Sequence, residues 1–448
     1  MSPSSLKKLA LRGTVWTVAG YGTSQILRFG SNLILTRLLV PELFGLMALV
    51  QVFLQGLTLF SDIGIRPSII RSERGDETVF LNTAWTIQVV RGVVLWLCCL
   101  IIAFPIAHYY QDARLSWLVP LVGLSTIMAG FNSTSLATLN RHLQVGLLAR
   151  FELAVQILSL GVLITWAWFS PTIWALVAGN LVSISLTALG SHYLNPGAPN
   201  RFAWDQEIVT EITSFGKWIF LSTAMTFLAS QADRLILGKL FTLQMLGVYV
   251  VAFTFADIPR QISLTIGRKV IYPAIAKLSH LPRSELKAKI SGKRWQMLLF
   301  LGLVVTVLFC WGDLIILALY DSRYEQAAWM IPLLAIGLWP LLLCSTIDRF
   351  LMAIGKPNYL ACGNLCKFIY MIIMIPLGFN QGGVIGTLIV IALNDLPYYI
   401  AVHYGLWREK LTFIVQDIQA TIVLTLIISI VLVLRYLADF GTPLDAIL

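Results

Sequence analysis

The sequence predicts an all-α, polytopic integral membrane protein with about 12–14 transmembrane helices, thirteen by our count. Three observations carry that prediction. Charged residues make up only 12% of the 448 positions, against ~25% in soluble domains. Mean hydropathy is +0.81, and apolar stretches long enough to cross ~30 Å of hydrocarbon recur along the whole chain. Windows of roughly 19 residues place spans near 14–35, 43–62, 79–104, 115–135, 147–169, 172–194, 214–237, 244–266, 295–318, 327–352, 358–378, 382–404 and 416–437. No small-residue cleavage site follows the first span, so it is expected to stay in the membrane. The stretch 411–419 reads either as an amphipathic interfacial segment or as the start of the last span, which leaves the count between twelve and fourteen.

The first two spans set the pattern for the rest. Thr14 to Leu35 carries Arg28 inside an otherwise apolar run, the turn Arg37 to Gly45 contains Pro41, and a second span follows. Pro41 can open that second helix and Gly45 permits close packing. At an offset of 202 residues the turn returns: Leu35, Leu38 and Gly45 recur as Leu237, Leu240 and Gly247, and Arg37 becomes Lys239. Six spans separate the copies, so both point the same way. The halves are then parallel repeats, an arrangement that places substrate between lobes in transporters. The Pro/Gly-rich run Asn195-Pro-Gly-Ala-Pro-Asn-Arg201 reads as a linker. The expected organisation is a six-helix lobe at 1–195, a cytoplasmic linker at 196–212, a second six-helix lobe at 213–405 and an additional transmembrane helix at 406–448.

Charge gives orientation. With the N-terminus in the cytoplasm, twenty-four of the 32 lysines and arginines fall on inside segments and six on outside ones. That split is the positive-inside signature of a multi-pass protein of the plasma (inner) membrane. The net charge of +10 is therefore topogenic, and no nucleic-acid partner is needed to explain it. The basic stretch Leu281 to Lys293 reads as topogenesis plus contact with anionic headgroups.

No catalytic residue, cofactor or metal site is predicted. Phosphate-binding glycine loops, H-E-x-x-H and G-x-S-x-G are absent, and the five histidines are scattered near span ends. The six cysteines lie in apolar spans, where core packing is the expected role. Cys362 and Cys366 share a helix face but lack the further ligands a zinc site requires. What remains informative is polar and intramembrane. Gln25, Arg28 and Asn32 line one face of the first span, Gln51 and Gln55 one face of the second, and Gln88 and Arg91 one face of the third. Charge at mid-span costs at least ~2.5 kcal/mol on insertion scales, so such residues face protein or a wet cavity. The expectation is a hydrated cavity in the N-terminal half with Arg28 and Arg91 as cations. Arginine matches phosphate oxygens and amides suit sugar hydroxyls, which together fit a phosphate-linked saccharide. The competing reading pairs these arginines structurally, with backbone carbonyls or with carboxylates such as Asp395. Asp233, Arg234 and Asp395 are candidates for ion coupling or for structural pairing, and Gly382, Gly383 and Gly386 for close helix packing.

The run Leu35-Thr-Arg-Leu-Leu-Val-Pro-Glu-Leu-Phe-Gly-Leu-Met47 followed by Asp62-Ile-Gly-Ile65 resembles the start of Wzx-type oligosaccharide flippases. These belong to the multidrug/oligosaccharidyl-lipid/polysaccharide exporter superfamily. Asp233-Arg-Leu-Ile-Leu-Gly238, Leu246-Gly-Val-Tyr249, Tyr272-Pro-Ala-Ile-Ala-Lys277 and Ala353-Ile-Gly-Lys-Pro357 are similar to later landmarks in the same order. The resemblance implies two six-helix lobes forming a V-shaped cavity and alternating access. It also implies outward movement of a polyprenyl-diphosphate-linked oligosaccharide in O-antigen, capsule or exopolysaccharide synthesis. Arg28 is the position matching the family's cationic cavity residues. Expected partners are the lipid-linked oligosaccharide, membrane lipids and other polysaccharide-assembly proteins. A multidrug or cation antiporter of the same superfamily is the alternative, and a membrane-embedded polymerase a weaker one. A thirteenth span departs from the family's usual twelve or fourteen.

Overall fold

The computed structural model describes residues 3–142, 144–194, 199–267, 282–443 and 445. It divides into two compact units, Met1–Ala224 and Met225–Leu448. Among the described residues the regular structure is helical throughout. The landmark at 272–277 and the first part of the predicted linker, 195–198, lie outside the described residues.

In the first unit, α1 (Pro3–Leu38) turns directly into α2 (Pro41–Phe60). Pro41 sits at the start of α2, where a missing N–H costs nothing. The chain then bends at Gly64, whose φ of 74° suits glycine and whose N–H donates to Asp62 Oδ1 at 2.9 Å. Next come α3 (Ile65–Arg71), α4 (Thr78–Tyr110), α5 (Leu115–Gly130), α6 (Ser135–Arg141), α7 (Val145–Phe169) and α8 (Ile173–Ser191). Helices α4 and α5 meet at Gly92, where an added Cβ would lie 2.5 Å from the Thr126 carbonyl oxygen. Thr126 Oγ1 donates to the Gly92 carbonyl at 3.0 Å, so the small residue also secures an interhelical hydrogen bond. Cys99 fills the notch at Gly123, 2.9 Å from where a Cβ would be, as expected of a packing cysteine. Cys362 and Cys366 are instead exposed, which corrects the core-packing expectation for that pair.

Residues 199–205 strap one end of this unit. Asn200 Oδ1 accepts from Ser133 Oγ at 2.9 Å, while the Arg201 and Ala203 N–H groups donate to Asn82 Oδ1 and Thr86 Oγ1, each at 3.0 Å. Phe202 packs on Trp85 with ring centroids 4.9 Å apart. Asp205 then accepts from the Glu207 and Ile208 N–H groups and caps α9 (Gln206–Leu240). Positions 206–212, read as linker from sequence, are thus the first turns of a helix. Ile208 and Ile212 are wholly buried against Ile65, Ile69, Phe80 and Ala84.

The α4–α5 connection holds a titratable pair. Arg114 donates from Nε and Nη2 to the Asp112 carboxylate at 3.0 and 2.7 Å, and its backbone N–H adds a third bond at 2.9 Å. The guanidinium holds the Asp112 carboxyl below the usual carboxylate range. A depressed folded-state value contributes stability that is present above the unfolded value of ~3.9 and is lost as pH falls through the folded one. Wild type should therefore lose more thermal stability than Asp112→Asn between about pH 6 and about pH 3. Parallel melting curves would remove this carboxylate from the acid response.

In the second unit, α9 continues into α10 (Leu243–Ala256) and α11 (Ile258–Ile266). There follow α12 (Arg283–Leu319), α13 (Ala327–Gly337), α14 (Trp339–Ser345), α15 (Asp348–Ala353), α16 (Asn358–Ala392), α17 (Leu396–Arg408) and α18 (Ile414–Leu437). Two buried ion pairs join α12 to α18. Near one end Arg294 pairs with Asp417, which also meets His403 Nε2 at 2.6 Å and accepts from Tyr399 Oη at 3.1 Å. Towards the other end Arg435 Nη1 donates to Asp313 Oδ1 at 2.7 Å, and its Nε and Nη2 reach the Gly441 and Phe440 carbonyls. The segment around 411–419 resolves as a short connection with buried Leu411 and Phe413, followed by the start of the last helix.

Eight helices among the described residues are long and apolar enough to cross a membrane, or nine if the pair α5 and α6, bent by 56°, is one span. The predicted thirteen differ from this for physical reasons. The polar stripe of α1 and the charged residues of α9 lower their hydropathy, and the 244–266 span is divided at Asp257 into α10 and α11. The run Asn358–Arg408, α16 with α17, enters that count as one candidate span of 51 residues, yet α16 doubles back at Gly382 and Gly383. Gly383 has φ 56° and ψ −135°, and an added Cβ on Gly386 would lie 2.3 Å from the Gly378 carbonyl oxygen. Residues eight apart in a straight helix would be ~12 Å apart, so two predicted spans lie within it.

Candidate functional site

A cavity of about 530 Å³ lies within the first unit. It is bounded by Thr58 of α2, the bend and α3 with Asp62, Arg66 and Ile70, Gln88 and Arg91 of α4, Asn132 at the α5–α6 break, Asn140 of α6, and Leu148 and Glu152 of α7. Arg91 enters it ~20 Å along α4. Its Nε donates to Ser61 Oγ at 2.9 Å and its Nη2 to the Thr58 carbonyl at 2.5 Å, so it also anchors the end of α2. Gln88, one turn earlier, points its amide nitrogen at the broken end of α5. It donates to the Ala129, Gly130 and Asn132 carbonyls at 3.2, 2.9 and 3.0 Å. A helix end leaves carbonyls without partners, and this side chain supplies them.

The wall between α3 and α6 is fixed from outside the cavity. Arg141 Nη1 donates to the Ile69, Ile70 and Ser72 carbonyls at 2.9, 3.0 and 2.6 Å, while its Nε meets Asp76 at 3.0 Å. Gly75 makes room for this clamp, since a Cβ there would lie 2.1 Å from the Ile69 carbonyl oxygen.

Of the sequence-predicted residues, Gln88 and Arg91 come together in this cavity; Gln25, Arg28, Asn32, Gln51 and Gln55 do not line it. Helix α1 packs on α7 through Ser24, whose Oγ donates to Gln156 Oε1 at 2.6 Å. Arg28 is exposed; its carbonyl accepts from Ser31 Oγ at 2.9 Å, and its guanidinium makes no hydrogen bond or ion pair among the described residues. Gln25, Asn32 and Gln51 are half-buried, and Gln55 is exposed. Asp62, Arg66, Asn140 and Glu152 were absent from the predicted set. Glu152 carried the available signal, as the one acidic residue in the α7 span. Arg66 reads as topogenic until α3 turns it into the cavity wall.

The second unit holds a smaller polar pocket of about 30 Å³, the size of one water molecule. Asp233 and Asp395, 162 positions apart in sequence, both line it, with Ser230, Arg260, Lys367 and Asn394. Lys367 Nζ donates to Asp395 Oδ1 at 2.5 Å, so that carboxylate is paired within its own unit rather than with Arg28 or Arg91. Tyr249 donates to Asp233 Oδ2 at 2.5 Å, and Arg260 pairs with Asp257. Arg234 turns away to Gln231, at 2.5 Å, and its guanidinium lies 5.0 Å from the Phe253 ring. Among the described residues no group of His, Cys, Asp and Glu is arranged to hold a metal ion.

Residues 34–329 match the polysaccharide biosynthesis protein family. The chain is 21% identical to the succinoglycan biosynthesis transport protein ExoT of Rhizobium meliloti over 92% of this chain and 83% of that protein. Its fold is similar to that of the lipid II flippase MurJ in an inward closed conformation, with a TM-score of 0.70, 13% identity and 96% of this chain matched to 93% of that one. It is also similar to an inward-facing multidrug resistance MATE family transporter, with a TM-score of 0.63, 13% identity and 84% of this chain matched to 93% of that one. With about two thirds of its length inside the family match and a fold shared with both solved structures, this multi-pass membrane protein belongs to the polysaccharide biosynthesis protein family.

Proposed function

We propose that the chain moves a polyprenyl-diphosphate-linked oligosaccharide outward across the plasma membrane by alternating access, in assembly of a cell-surface polysaccharide. In this reading the N-terminus is cytoplasmic. The observation that carries it is the cavity of the first unit, where Arg66 and Arg91 stand beside Asn132 and Asn140 between apolar walls. Two guanidinium forks suit a diphosphate and the amides suit sugar hydroxyls. Arg28 does not line this cavity; exposed on α1, it is proposed as a further cation met by the same substrate during transport. The similarity to a succinoglycan biosynthesis transport protein and to a lipid II flippase supports this substrate class.

The test is movement of a diphosphate-linked saccharide across reconstituted vesicles. Arg91→Ala and Arg28→Ala should each slow it about tenfold, the loss of one charge-assisted contact. A melting curve for Arg91→Ala separates this from loss of the Ser61 anchor. Wild-type rates in both variants would sink the phosphate role. One observation favours a second reading, a multidrug or cation antiporter: Asp62 and Glu152 share the cavity with the arginines. Under that reading Glu152→Gln abolishes transport of an organic cation, whereas under the first it leaves saccharide movement largely intact.

A further inference from the structure

The groove between the first turns of α12 and the start of α18 belongs to neither site described above. It encloses about 500 Å³, and its walls change character from one end to the other. Lys287, Ser291 and Trp295 line it from α12 at steps of four residues, and the same stripe continues beyond it as the exposed Leu299 and Leu303. From α18, Val415 and Gln419 line the groove, and Ile422 and Leu426 carry that face onward, also exposed. One furrow therefore runs from an ammonium through a hydroxyl and an indole to bare aliphatic side chains. That is the polarity profile of a single bilayer leaflet, from headgroup through interface to acyl chain.

The charged end is available to a ligand. The Lys287 ammonium lies 5.5 Å from the Phe413 ring and makes no ion pair among the described residues. Arg294, next to the groove, is already committed to Asp417. Arg283, Lys289 and Lys293 on the same turns of α12 add positive potential, with Glu285 the acidic residue among them. The floor is open at Gly292, where an added Cβ would meet nothing within 4 Å.

We propose that this groove binds one anionic glycerophospholipid from the leaflet that faces the basic turns of α12. The phosphodiester sits at Lys287 and Ser291, the glycerol esters lie level with Trp295, and an acyl chain follows the furrow past Leu299 and Ile422. This site stands apart from the transported substrate and does not depend on its identity.

The test uses the full chain in mild detergent with phosphatidylglycerol and phosphatidylcholine added at equal concentration, and counts retained lipid by native mass spectrometry. Wild type should retain phosphatidylglycerol in preference. Lys287→Gln should lower that retention about fivefold, one lysine's share of anionic-surface attraction. Gly292→Phe, which fills the groove while leaving the charge in place, should lower it similarly. Lys289→Gln, off the stripe, should change it by less than about twofold. Equal retention of the two lipids by wild type would overturn the proposal. So would a loss in Lys289→Gln matching that in Lys287→Gln, because diffuse attraction would then suffice.

Discussion

Replacing Asp417 with alanine should destabilise the second unit by about 3–5 kcal/mol, the cost of leaving a buried charge uncompensated. Arg294 and Asp417 are both almost wholly buried, with side chains 1% and 2% exposed. Once the carboxylate is gone, the Arg294 guanidinium keeps Thr346 Oγ1 at 2.8 Å, Gln416 Oε1 at 2.8 Å and the Leu343 carbonyl at 3.2 Å, but no counter-charge. His403 and Tyr399 lose their shared acceptor in the same step. For a unit of this size the loss corresponds to about 10 °C in melting temperature. The double variant Arg294→Met with Asp417→Leu should recover most of it, because removing both charges together also removes the desolvation cost. A melting temperature for Asp417→Ala within about 2 °C of wild type would show that the pair contributes little to stability.

Gly386→Leu should cost about 2–3 kcal/mol by forcing the two arms of α16 apart. The predicted Cβ position, 2.3 Å from the Gly378 carbonyl oxygen, meets backbone, which no rotamer change can move aside. Gly382→Ala is the control, since that position has φ −137° and open space around it. A monodisperse, normally melting Gly386→Leu protein would mean that the arms separate without penalty.

Apolar length was the feature most readable in the sequence. The spans predicted at 79–104, 147–169 and 416–437 fall inside single helices, and that at 172–194 overruns α8 by only one residue at its start and three at its end, because hydropathy averaged over a window reports length directly. Breaks were less legible. The interruption after Gly130 is held by a glutamine from another helix, which leaves local hydropathy unchanged, whereas the reversal at Gly383 falls at the predicted boundary between the spans 358–378 and 382–404. The site divides in the same way. Gln88 and Arg91 could be paired from their spacing on one helix, whereas Arg66, Asn140 and Glu152 join them only through packing of α3, α6 and α7. Asp233 and Asp395 were each visible as intramembrane acids, but not that they share a pocket.

The strap at 199–205 bears on how the protein is made. The first unit's core includes Ile208 and Ile212, and its Asn82 and Thr86 side chains are satisfied by Arg201 and Ala203. A nascent chain that has emerged only as far as residue 195 therefore lacks part of its own interior, although its first six predicted spans are complete. Synthesis through the early turns of α9 closes that core before any of the second unit has been translated. The two halves can then fold in order, N-terminal half first, with less apolar surface left waiting for a partner.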